Sequence, residues 1–177
     1  MKKFHGMIVA ILLCVLLAFA GCGGIGSKKV YSYLKTQQDF VGNPNYNGGN
    51  YTVSFTVNDD LSYSLSVSDS YSNYDALKDY SVEGKQMEYL GQREKSHEST
   101  SWGITTHWTT YTHVVKLPEA TVELNDNVLA FYLLAESDSK YADTFSLKLV
   151  VANSTYGESD ILNIGTSFSS GYAIKKA

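Results

Sequence analysis

Six residues within a short stretch, His97, Trp102, His107, Trp108, Tyr111 and His113, are of types that could ligate a metal, move a proton or stack on a ligand. A shared metal is not expected. His107 and His113 fall on one face of a strand because their spacing is even, but six residues at about 3.3 Å set them roughly 20 Å apart, too far to converge on one zinc. His97 and Glu98 beside Glu94 could gather a cation, although a solvated segment accounts for them more simply. Trp102, Trp108 and Tyr111 beside His107 and His113 form a candidate binding surface, since flat rings offer apolar area and a polar tip at low entropic cost. The plainer account is that Tyr and Trp are good strand formers and supply cross-strand pairs. With 14 Tyr and 2 Trp, several rings must lie outside any one small core.

Other motifs carry less. Residues 43–48, Asn-Pro-Asn-Tyr-Asn-Gly, imitate the opening of a calcium loop, but the ligands would be neutral amides and Ser54 stands where a bidentate Glu is needed. Asp69, Asn73 and Asp75 make a second acidic loop without ligand spacing. Ser32/Lys35 and Ser137/Lys140 satisfy Ser-x-x-Lys without the accompanying elements, and Gly-x-Ser-x-Gly is missing. Asn50-Tyr51-Thr52 and Asn153-Ser154-Thr155 match a glycosylation acceptor by coincidence. No enzyme activity, metal or cofactor is expected.

The amino terminus has a clearer grammar. Lys2 and Lys3 precede an apolar run over 7–20 that ends in Ala18-Phe19-Ala20-Gly21-Cys22. Fourteen helical residues span roughly 21 Å, short of a hydrocarbon core about 30 Å thick, so the run reads as a secretory signal, not a membrane span. Its last residues resemble the lipobox of bacterial lipoproteins, with Phe19 where Leu is usual. That resemblance implies removal of 1–21, a diacylglyceryl and palmitate anchor on Cys22, and a domain facing outside the cytoplasm. Gly23, in place of Asp, implies the outer membrane where a host has two. Ordinary secretion is the alternative, and it would leave Cys22 a free thiol in an oxidising compartment. Residues 22–28 then read as a short flexible tether and 29–177 as one domain.

Loss of 1–21 leaves 156 residues, enough for one core. Cys14 and Cys22 are the only cysteines, so the mature domain has no internal disulfide. With Lys2 and Lys3 gone, 12 basic residues face 18 acidic ones, a net charge of −6 that argues against nucleic acid and against an anionic-lipid patch.

Strand signals dominate the remainder. Tyr51, Val53, Phe55 and Val57 alternate with Thr and Ser, and the alternation resumes through Leu61, Tyr63, Leu65 and Val67, which predicts a hairpin with one wet face. Residues 86–95 and 104–116 predict two longer strands joined by a polar segment over 96–103, with Pro118 ending the second. The unbroken apolar run over 128–135 reads as a strand covered on both faces or as a buried helix, and its strand-bearing neighbours favour the strand. Phe145, Leu147, Leu149 and Val151 predict another, and Leu162, Ile164, Thr166 and Phe168 a last one. Residues 30–38 read equally as strand or helix, and 74–80 could make a helical turn or two. The expected fold is an all-β antiparallel sandwich, immunoglobulin-like in the broad sense, with a small β-barrel as the alternative. The expected function is a lipid-anchored, non-catalytic binder of a protein or envelope component. A carbohydrate-binding module, a small envelope hydrolase or a hydrolase inhibitor are the alternatives.

Overall fold

A computed structural model describes residues 24–42, 51–69, 77–124, 127–153 and 171–177. These comprise helix α1 (Ile25–Gln37) and strands β1 (Asp39–Gly42), β2 (Tyr51–Val57), β3 (Tyr63–Asp69), β4 (Tyr80–Gly84), β5 (Glu88–Ser101), β6 (Ile104–Leu124), β7 (Asn127–Ser137), β8 (Ser146–Asn153) and β9 (Tyr172–Lys176). The nine strands form one antiparallel sheet in the order β4-β3-β2-β1-β9-β8-β7-β6-β5, so the fold is all-β and the sheet is not closed. Residues 1–23, the 43–48 loop, Asn73, Asp75 and the strand expected over 162–168 lie outside the described residues.

Alternation becomes burial wherever a third element covers the apolar row. Tyr51, Val53, Phe55 and Val57 pair in register with Asp69, Val67, Leu65 and Tyr63, and their apolar side chains enter one core. Leu61 sits in the preceding turn with φ 68, two residues before the strand. The same core takes Val115 and Leu117 from β6, Phe131 and Leu133 from β7, and Leu149 from β8. Strands far apart in the sheet order therefore share one interior, because the sheet curls around it. Tyr80 of β4 stacks on Phe131 of β7 at 5.1 Å, and the Tyr63 hydroxyl donates to the Pro118 carbonyl. A Cβ on Gly84 would lie 2.0 Å from Cζ of Tyr63, so glycine is required where that ring crosses β4.

Pro118 does not end β6. The strand runs on to Leu124, and pairing with β7 is interrupted between Lys116 and Thr121, with Glu119 at φ 73. A proline has no amide to donate, and a bulge asks for none, so the residue is accommodated there and its carbonyl is turned toward Tyr63. Strand β7 matches the unbroken apolar run: Phe131, Leu133 and Ala135 join the main core, while Ala130, Tyr132 and Leu134 form a second buried cluster with Val114, Val150 and Ala152.

Residues 30–38 resolve as helix through Gln37. Val30 and Leu34, four apart, enter the core from one helix face, and Tyr33 meets Phe145 edge-on at 5.5 Å. The expected tether over 22–28 is corrected in its second half, since Ile25, Gly26, Ser27 and Lys28 form the first turn of α1. Ser27 is buried and its hydroxyl donates to the Gly24 carbonyl at 2.8 Å, while Gly26 lies so close to the sheet that a Cβ would come within 2.9 Å of His113 Cε1. Gly26, which looked like slack, is a close-approach position. Of the helical turns expected at 74–80, residues 74–76 lie outside the described residues, Leu77 is followed by a turn and Tyr80 already belongs to β4.

Candidate functional site

The polar segment expected between the fifth and sixth strands is itself strand. Pairing of β5 with β6 continues to Ser101↔Ile104, whereas β6 leaves β7 at Tyr111↔Ser137. Beyond Tyr111 the two strands stand, among the described residues, as an unsupported ribbon that reaches about 20 Å, from the six steps between Thr110 and Ile104. Thr100 and Thr105 join their hydroxyls at 2.9 Å near the tip. Arg93, Glu94, Lys95 and Glu98 line the outer edge strand, a distribution that discourages edge-to-edge pairing.

At the tip Trp102 and Gly103 form a two-residue turn with φ 53 and 78. Both values are positive, as a type I′ hairpin turn requires, and Asn, Asp or Gly ordinarily fill the first place. A tryptophan there carries backbone strain of about 1–2 kcal/mol without returning any packing, since it is 99% exposed. Ile104 is 70% exposed and Trp108 is 45% exposed. Residues 99–106, Ser-Thr-Ser-Trp-Gly-Ile-Thr-Thr, contain no charge.

The six residues singled out in the sequence do not form one surface. Registers His97↔Trp108 and Ser101↔Ile104 put Trp108, His97 and Ile104 on one face, Glu98↔His107, Glu94↔Tyr111 and Gln92↔His113 put His107, Tyr111 and His113 on the opposite one, and Trp102 sits in the turn between the strands. His97 and Trp108 stack at 5.1 Å with rings 6° from parallel. His107 Nδ1 lies 3.6 Å from Glu98 Oε2 across the ribbon. Tyr111 is half-buried at the arm's base. His113 leaves the candidate surface altogether: it is buried, with Nδ1 2.9 Å from the Tyr89 hydroxyl and its ring edge-on to Phe145 at 5.4 Å. Burial holds its pKa below the ordinary histidine value. Neighbouring Tyr31, whose hydroxyl donates to the Met87 carbonyl at 3.2 Å, is pushed up to about 12, chiefly by burial. His113 is thus part of the seat of α1.

Ile104 was legible as a strand residue but not as an exposed one. Parity along β6 did carry the separation of Trp108 from His107, Tyr111 and His113, because even and odd positions must diverge. A hollow of about 480 Å³ at the arm's base is lined by Thr110, Glu136, Ser137, Asp138 and Phe145. Among the described residues no three His, Cys, Asp or Glu side chains gather as a metal site. Ser32 and Lys35 lie exposed on α1; Ser137, the last residue of β7, lines that hollow, but Lys140, in the turn after it, does not, so neither pair faces a described cavity together as nucleophile and base. Compared with known proteins, the chain matches no family model, no curated protein and no solved structure.

Proposed function

We propose that the chain is a lipid-anchored protein of a bacterial cell envelope, whose all-β domain presents the β5–β6 arm to an envelope component and catalyses no reaction. The domain folds over in two layers, as a sandwich does, a reading supported by the approach of Tyr80 to Phe131 and of Tyr63 to Pro118 across the core. The signal-like run over 7–20 and the Ala-Gly-Cys at 20–22 support the anchor.

One observation carries the binding role. A solvated ribbon ends in a strained, fully exposed tryptophan next to an exposed isoleucine. Strain and exposed apolar area both cost stability, and residues of this kind recur where they act on something outside the fold. A stacking platform for glycans finds less support, because Trp108 and Tyr111 face opposite sides of the ribbon.

Replacing Cys22 by Ser in the full chain tests the anchor. The unprocessed precursor is expected to accumulate, and none of the mature-length protein should remain in the membrane fraction. Maturation at the same bond, with the mature protein still pelleting, would overturn the reading. Photo-crosslinking from position 102 in intact cells tests the arm: capture of envelope material is expected, and a probe that reacts only with water removes the binding role.

A further inference from the structure

We propose, on the premise that Cys22 carries lipid, that the envelope component met by the arm is the bilayer itself, with Trp102 and Ile104 inserted at its interface. The topology sets the arm and the chain's point of departure at the same end of the domain. Strand β7 ends at Ser137 opposite Tyr111, so the arm rises from the end that carries the turn between β7 and β8. Helix α1 begins at that end too: Gly26 abuts His113, two residues below the arm's base, and Lys29 pairs with Asp143 in the β7–β8 turn. Of the six large apolar residues exposed among the described ones, five lie there: Ile25 (66%), Trp102, Ile104, Trp108 and Tyr141 (62%). Val128, at the start of β7, lies at the opposite end.

Reach turns this placement into a constraint. Gly23 and Gly24 separate Cys22 from Ile25, three backbone steps of at most about 10 Å in all, so an acylated Cys22 holds the start of α1 close to the lipid. A ribbon of about 20 Å rising from the same end then spans the gap. Its tip chemistry suits the destination, since tryptophan favours the interfacial layer and the uncharged Ser and Thr of 99–106 enter it without stripping water from a charge. The acidic balance of the mature chain makes attraction to anionic headgroups a poor alternative, so insertion should not depend on lipid charge or salt.

The full-length protein, purified in its mature form, is reconstituted with phosphatidylcholine vesicles with or without brominated acyl chains. In the Trp108→Phe variant Trp102 is the sole tryptophan and therefore the sole reporter. Flotation with the vesicles, with Trp102 emission blue-shifted and reduced about twofold by bromine, is the expected result. Flotation with Trp102 still quenched by aqueous iodide and untouched by bromine overturns arm insertion while leaving the anchor standing. Failure to float overturns both. Trp102 wet on vesicles but shielded from iodide in native envelopes would make the arm a protein-docking element and likewise overturn insertion. In the Trp108→Phe background the Trp102→Asn variant, which suits the turn, controls for folding: it should still float through the anchor and leave no tryptophan emission for bromine to reduce.

Discussion

The lower and upper halves of the β5–β6 hairpin share one alternating pattern and have opposite fates. Below Tyr111, β6 is flanked by β5 and β7 and seats α1, and Val114, Val115 and Leu117 are out of solvent. Above it, among the described residues, the same two strands have only each other, and Ile104, His107 and Trp108 are exposed. Alternation specifies which residues share a face. Whether that face is dry depends on a third partner, and β7 supplies one only as far as Ser137.

Substitution should separate the two halves sharply. Leu117→Ala removes a fully buried side chain from the shared core and is expected to cost about 2–5 kcal/mol, read as a fall in the denaturant midpoint. Ile104→Ala in the arm should stay within about 0.5 kcal/mol of the parent. Equal losses at both positions would mean that the arm packs against something in the free protein. A smaller effect should come from Tyr63→Phe, at about 1–3 kcal/mol, because the Pro118 carbonyl then loses its hydroxyl partner at the bulge. An unchanged midpoint would show that ring packing alone, over Gly84, holds the β3–β4 edge against β6.

The body of the fold was legible where alternation ran long. Tyr51–Val57 and the strand expected over 145–151 needed only their alternation, whereas the unbroken run over 128–135 was placed as a strand by its strand-bearing neighbours. β1 and β9 were not, because four and five residues are too few to show a period against the background. Over 30–38, Tyr31 and Tyr33 gave a strand phase while Val30 and Leu34 gave a helical one; the core selects the second, burying Val30 and Leu34 together. The arm was misread for a different reason. Nearness in sequence gathered Trp108 with His107, Tyr111 and His113, whereas strand parity divides them and α1, with Tyr89 and Phe145, covers the last. Nothing in Trp102-Gly103 announces a hairpin turn, since tryptophan is foreign to the position it takes.

His113 offers a pH handle on the lower half alone. Its folded pKa lies below the unfolded value of about 6.5, so the unfolded chain binds the extra proton first. The stability tied to His113 is therefore complete above that value and declines as pH falls from there through the folded pKa, where the loss levels off. A fall in melting temperature between pH 7 and pH 5 that His113→Gln removes is the expected signature, with α1 the element that loosens first because Gly26 rests on the ring. A decline that persists unchanged in the variant would assign the effect to other groups.

The finest test reverses the usual sign. Trp102→Asn replaces a residue strained at φ 53 by one that tolerates the left-handed region, and no packing is forfeited because the indole is fully exposed. Stability should rise, by about 1 kcal/mol at most, and the gain should be confined to the arm, visible as slower amide exchange at Thr100 and Thr105 with the body unchanged. An arm that becomes more stable when its most conspicuous residue is removed is holding that residue for some purpose other than folding. A loss of stability in the variant would instead mean that the indole packs somewhere in the free protein, and the contrast between the two halves of the hairpin would have to be redrawn.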